Sequence, residues 1–136
     1  MINLQDITRD ISRLLTAALT GVSIYNEIAP YDRVSPYGVF TLVETSQRAA
    51  FGGAANDDHV LALTVRLYAS RDEGAGALRR TAHSLILALH RARPTLTGLA
   101  GVEVMVRPGN GSVSNAGNNL WGITTLFSIT GSATGA

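Results

Sequence analysis

Three histidines and ten acidic residues are the chain's main stock of acid, base and metal-binding side chains, because it contains no cysteine. Nucleophilic catalysis needs a Ser, Thr or Cys beside a positioned base. His59 falls at the start of an expected strand, and His83 and His90 ride an expected helix, so each has a structural explanation without chemistry. His83 and His90 share a helical face, but helical metal ligands sit four apart or bring a third ligand close by, and Glu73 is too distant. Asp57-Asp58 lacks the oxygen-ligand spacing of a calcium loop and reads as a solvated turn. Glu27 and Glu44 belong to neighbouring strands, where pairing with an arginine such as Arg66 across the sheet is the expected role. Gly52-Gly53 and Gly109-Asn110-Gly111 lack the Lys-Ser/Thr and the strand-to-helix setting of a phosphate loop. Tyr68, Trp121 and Phe127 have no RNA-binding signature around them and read as core aromatics. No residue is therefore assigned to catalysis, to a cofactor or to a metal, and the chain is read as non-enzymatic.

Composition explains why chemistry is sparse. Of 136 residues, 46% are apolar and only 15% are charged, against roughly 25% charged in typical soluble proteins. The surface must be rich in Ala, Gly, Ser, Thr and Asn, and such a surface is easier to bury against a partner because few ions need desolvating. All the basic charge is arginine, and the formal net charge is +1. That arginine bias fits either a GC-rich coding sequence or planar bidentate contacts at an interface, and bulk charge does not predict nucleic-acid binding. Without cysteine there is no disulfide framework or thiolate metal site. The N-terminus lacks a basic segment followed by an apolar run, so the expectation is a soluble protein made in the cytoplasm with no membrane segment. Asn110-Gly111-Ser112 matches a glycosylation sequon but reads as a turn.

The elements that carry these residues follow from periodicity. Leu4, Ile7, Ile11, Leu14, Leu15 and Ala18 recur at helical spacing, with Asn3 as N-cap, Asp6 in the first turn, an Asp10–Arg13 pair and Gly21 as the stop, which predicts a helix over about 4–20. Alternation then predicts strands over Val22–Ile28, with Val22, Ile24 and Ile28 on one face, over Tyr37–Thr45 and over His59–Ala69. Leu78, Ala82, Leu85, Ile86 and Leu89 mark a second helix ended by Pro94, with His83 and His90 mostly solvated and Arg91 and Arg93 near its C-terminal end. Val102, Val104 and Val106 mark a fourth strand, and Leu120–Thr130 a fifth, with Trp121, Ile123, Thr125, Phe127 and Ile129 inward. The expectation is one α+β domain over residues 1–136: a mostly antiparallel sheet of about five strands with two helices on one face, and a frayed tail over Gly131–Ala136. Two Gly- and Asn-rich connections, 46–58 and 110–119, are expected to be exposed loops.

This order resembles the small tail terminator, or tail completion, proteins of long-tailed phages and gene transfer agents. The resemblance rests on the opening amphipathic helix (Leu4 to Leu19), the strand entry Ser35-Pro36-Tyr37-Gly38-Val39-Phe40, and a long loop before the strand Leu61-Ala62-Leu63-Thr64-Val65-Arg66-Leu67-Tyr68-Ala69-Ser70. A turn, the helix Leu78 to Leu89 and two closing strands complete it. It implies a virion protein that forms a hexameric ring, caps the tail tube, stops its polymerisation and meets the head-side connector, with DNA passing through the lumen unread. A head-completion or neck protein of the same machinery is the nearest alternative, and a cellular small-ligand-binding domain is a further one. Contacts are expected from Arg48, Phe51, Asn56, Asp57 and Asp58 in the first loop and from Asn110, Ser112, Asn115 and Asn118 in the second; the alternative is that both are surface loops without partners.

Overall fold

The protein is described by a computed structural model that covers residues 3–31, 33–48, 58–108, 113–117 and 119–133, with the side chains of residues 46–48 left aside. Helix α1, Leu4–Ala18, starts where Asn3 caps it: the Asn3 Oδ1 accepts hydrogen bonds from the backbone N–H groups of Gln5 and Asp6, at 3.0 and 3.3 Å. These satisfy two donors that the first turn would otherwise leave unpaired. Ile7, Ile11 and Leu15, four residues apart, are its buried stripe. The helix ends at Leu19, and Gly21 takes φ +81°, a conformation costly for other residues.

Among the described residues six strands form the sheet: β1 Ser23–Asn26, β2 Tyr37–Arg48, β3 Asp58–Ser70, β4 Leu99–Val106, β5 Ser114–Asn115 and β6 Leu120–Ala133. Helix α2, Ala75–Leu89, lies between β3 and β4 in the chain. The spatial order is β1-β2-β3-β6-β4, with the short β5 on β6. All pairings are antiparallel except β1 with β2, which is parallel. The fold is thus α+β with a mostly antiparallel sheet, as the periodicity predicts.

Both helices cover one face. In β3 the inward set is Leu61, Leu63, Val65, Leu67 and Ala69, and register aligns it with Phe40 and Leu42 of β2 and with Ile123, Phe127 and Ile129 of β6. Ile7, Ile11 and Leu15 of α1 and Leu78, Ala82, Leu85 and Leu89 of α2 complete one apolar cluster. At roughly 1.5–3 kcal/mol for each fully buried aliphatic or aromatic side chain, this cluster is the main source of stability.

Several local expectations are corrected. The first strand stops at Asn26 because Glu27 adopts φ +67°, and Ile28, expected on the core face, is 81% exposed. The strands flanking the first loop are longer than alternation suggested: β2 runs to Arg48 and β3 starts at Asp58. A register shift between Glu44 and Ser46 breaks the simple alternation there. The expected frayed tail is wrong for residues 131–133, where Gly131 pairs with His59 and Ala133 is buried opposite Leu99. The remaining tail, 134–136, lies outside the described residues. Asp10 turns to Thr97, accepting from its N–H at 2.8 Å and its hydroxyl at 2.7 Å, so its main partner is 87 residues away and not Arg13. His90 is half-buried and its Nδ1 accepts from the Val106 N–H at 3.1 Å, which ties the end of α2 to β4.

Candidate interaction surfaces

The histidine and acid inventory converges at one place. Glu44 does not meet Arg66: Glu44 stands opposite Leu61 on the helix side of the sheet, whereas Arg66 stands between Val39 and Thr124 on the other side. The partner of Glu44 is His59, whose Nδ1 lies 2.5 Å from the carboxylate. The His59 side chain is buried, and among the described residues its Nε2 has no hydrogen-bond partner. A carboxylate-oriented imidazole is the base half of a nucleophilic relay, yet among the described residues no hydroxyl stands at Nε2 to be activated. Among the described residues, no group of three or more His, Cys, Asp or Glu side chains is arranged to hold a metal ion.

The two expected contact loops start from opposite ends of the sheet. Arg48 closes β2 and pairs by backbone register with Asp58, whose carboxylate accepts from the Ser132 hydroxyl at 2.7 Å. Asn115 pairs with Trp121, and its Oδ1 accepts from the Gly117 N–H at 2.9 Å in a tight turn. Ser132 and Trp121 are separated by eleven residues of the same strand, about 36 Å of extended chain. Asp58 and Asn115 are therefore not brought together. Phe51, Asn56, Asp57, Asn110, Ser112 and Asn118 lie outside the described residues.

Sequence reasoning missed a different loop. Three of the large apolar side chains most exposed to solvent fall between β1 and β2: Ile28, Tyr31, which is 100% exposed, and Val34 at 73%. They flank Pro30 in a segment with no periodic partner, and that was the available signal. The loop is anchored, since Arg33 donates from Nε to the Tyr37 hydroxyl at 2.8 Å and stacks its guanidinium 5.4 Å from that ring. Tyr37 stacks on Tyr68 at 4.9 Å and meets Tyr25 edge-on at 6.4 Å. Gly122 lies directly across from Tyr68, where an added Cβ would fall 3.4 Å from the ring.

The sheet face away from the helices is the second feature that the sequence did not single out. It carries Val39, Thr41 and Val43 from β2, Ala62, Thr64 and Arg66 from β3, Leu126 and Ser128 from β6, and Met105 from β4. No described helix covers it, and Val43 is 56% exposed. A small apolar cleft lies elsewhere, between α2 and the start of β2, lined by Val22, Tyr37, Leu67, Leu78 and Thr81; its volume of about 60 Å³ is far below the several hundred Å³ of a drug-sized site. No described helix is long and apolar enough to cross a membrane.

Two carboxylates are electrostatically tuned. For Asp10, partial desolvation is the largest influence and pushes its pKa up, but the two hydrogen bonds from Thr97, with Arg13 and Arg9 nearby, outweigh it and hold the carboxyl below its ordinary value. Glu73 is lowered chiefly by the Ser70 N–H, which donates to it at 2.9 Å, against a smaller desolvation effect.

No protein-family model matches the chain, and no curated protein matches it significantly. Solved structures do match. One chain, from a structure described as the virion of a native gene transfer agent particle, superposes with a TM-score of 0.72 at 12% identity, covering 96% of this chain and 97% of its own. A second superposes with a TM-score of 0.65 at 14% identity, covering 98% of this chain and 94% of its own. The likeness is end to end and extends to the fold: this chain is built like a component of a gene transfer agent virion.

Proposed function

We propose that this protein is a structural component of a tailed phage or gene transfer agent virion, acting as the tail terminator: a ring, hexameric by the family's pattern, that caps the tail tube, halts its polymerisation and presents a surface to the head-side connector. The end-to-end fold likeness to a chain of a gene transfer agent virion carries this reading. The resemblance in the order of elements points the same way. On this reading its role is non-enzymatic, in keeping with the likeness to a virion component. Function then resides in surfaces, and two loops rooted at opposite ends of one sheet suit a part that must meet one neighbour on each side. DNA crosses the lumen without being read, and the protein ends in the virion tail.

The test is to mix purified protein with tail tubes assembled from the tube subunit of the same genome. Tubes should acquire a terminal ring in negative-stain micrographs and stop lengthening. Tubes that keep growing, with the protein recovered only on portal or adaptor rings, would transfer the assignment to a head-completion or neck protein.

A further inference from the structure

Charge is unevenly divided along the chain. Residues 74–102 hold four of the eleven arginines and none of the ten acids, so the rest of the chain carries seven arginines against ten acids. The excess falls on α2 and the turn after it. Leu78, Ala82, Leu85 and Leu89 are the buried stripe of α2, and its other side exposes Arg79, Arg80, His83, Ser84, Leu87 and Ala88. Arg80, His83 and Leu87 follow one another at helical spacing, opposite the buried stripe. Past the helix end Arg91 is also exposed, and its backbone N–H donates to the Val104 carbonyl at 2.6 Å, which fixes where it stands. Arg79 to Arg91 covers about 18 Å at the helical rise.

Helix α1 carries as many arginines but answers them. Arg9 lies 3.7 Å from Asp6, and the charges of Arg13 and Arg9 both act on Asp10. On α2 no acid does this. Among the described residues the acids in ion pairs are Asp6, Glu44 and Glu103, with Arg9, His59 and Arg93 as partners. Asp72 and Glu73 stand before the helix, and Glu73 is turned to the Ser70 N–H. Arg79, Arg80 and Arg91 therefore have no acidic partner among the described residues. Cations gathered on one side without counter-charge repel one another, so this side gains most from an anionic partner.

We propose that this side of α2, through Arg79, Arg80 and Arg91, holds the phosphate backbone of double-stranded DNA without reading its sequence. DNA as the polyanion rests on the virion reading above, in which the genome crosses the ring; α2 then faces the lumen. Arginine offers phosphate oxygens a planar fork of donors. Each strand of a duplex sets a phosphate every 3.4 Å or so along its axis, and about 18 Å of basic surface faces about five of them. Helix α2 has no Tyr, Trp or Phe, so the bases of a single strand would find nothing to stack on. Acids elsewhere bring the net charge to +1, which hides the patch from bulk composition and confines DNA to one side of the molecule.

Fluorescence anisotropy with labelled duplexes and the full-length protein tests the assignment. At low salt the wild type should bind duplexes of unrelated sequence alike, and affinity should fall steeply as salt rises. R79A/R80A should weaken binding by about tenfold or more and flatten the log–log salt slope by about two. Both side chains are exposed and alanine favours helix, so circular dichroism should show the fold retained. Arg91→Asn, suited to the φ of +63° there, should flatten the slope by about one more. R79K/R80K keeps the charge and should keep the slope, and Arg66→Ala, on the bare sheet face, should leave affinity within about twofold. A wild type that binds no duplex at low salt overturns the proposal, as does a folded R79A/R80A with undiminished affinity or an equal loss in Arg66→Ala. Binding of polyglutamate through the same arginines, with no binding of DNA, overturns it in favour of an acidic protein partner. Capping is scored separately on DNA-free tubes: a wild type that caps them but binds no DNA sinks the DNA contact alone, and one that binds DNA through α2 but leaves tubes uncapped sinks the terminator alone.

Discussion

Asp10 shows how much a single half-buried carboxylate can organise. It accepts from both the backbone and the hydroxyl of Thr97, fastening α1 to the linker that leads into β4. Its folded pKa lies below the ordinary value of 3.8, and that of Glu73 lies below 4.5. A depressed folded pKa means that the unfolded chain takes up the proton first, so both contributions are fully present above the unfolded values and fade as pH falls through the folded ones. Asp10→Asn should therefore lower thermal stability modestly at pH 7, and the difference from wild type should shrink below about pH 4, as a pH series of melting curves would read. In the core, Phe127 is fully buried, and Phe127→Ala should cost about 3–5 kcal/mol in a denaturant titration. The Asn3 cap and the Ile7, Ile11, Leu15 stripe were legible in the sequence because caps and helical stripes are local rules. The Thr97 and His59 partnerships were not, because their partners lie 87 and 15 residues away.

At the scale of elements, strong periodicity located both helices and the long strands, and the errors fell at their ends. Strand β6 outlasts its expected end because Gly131 and Ser132 remain paired with β3 and Ala133 fills a buried site against Leu99. Small and polar residues look like a tail in isolation; here neighbouring strands recruit them. Truncation after Thr130 should lower the melting temperature by several degrees, whereas a true frayed tail could be removed without effect. The start of α2 offers a second check. Gly74 takes φ +92°, ψ 151°, and nothing lies within 4 Å of the Cβ it lacks, so Gly74→Ala would meet backbone strain and not a clash. A loss of about 1–3 kcal/mol is expected by chemical denaturation.

For the whole molecule, the placement of the two loops carries the functional argument. The roots of the two proposed contact loops stand about 36 Å apart along one strand, so on the proposed function substitutions at one end should disturb one partner and spare the other. Asn115→Arg and Asp58→Arg, compared for binding to tail tubes and to connector rings in pull-down assays, should separate in their effects. Both helices lie on one side of the sheet, and no helix is described on the other.

The sequence by itself determined the helices, the long strands, their inward faces and the absence of a recognisable catalytic or metal motif, because each depends on neighbours within a few residues. Tertiary structure alone decided the strand order, the parallel placement of β1 and the Glu44–His59 pair. These follow from register between strands distant in the chain, where a shift of one residue sends every side chain to the opposite face.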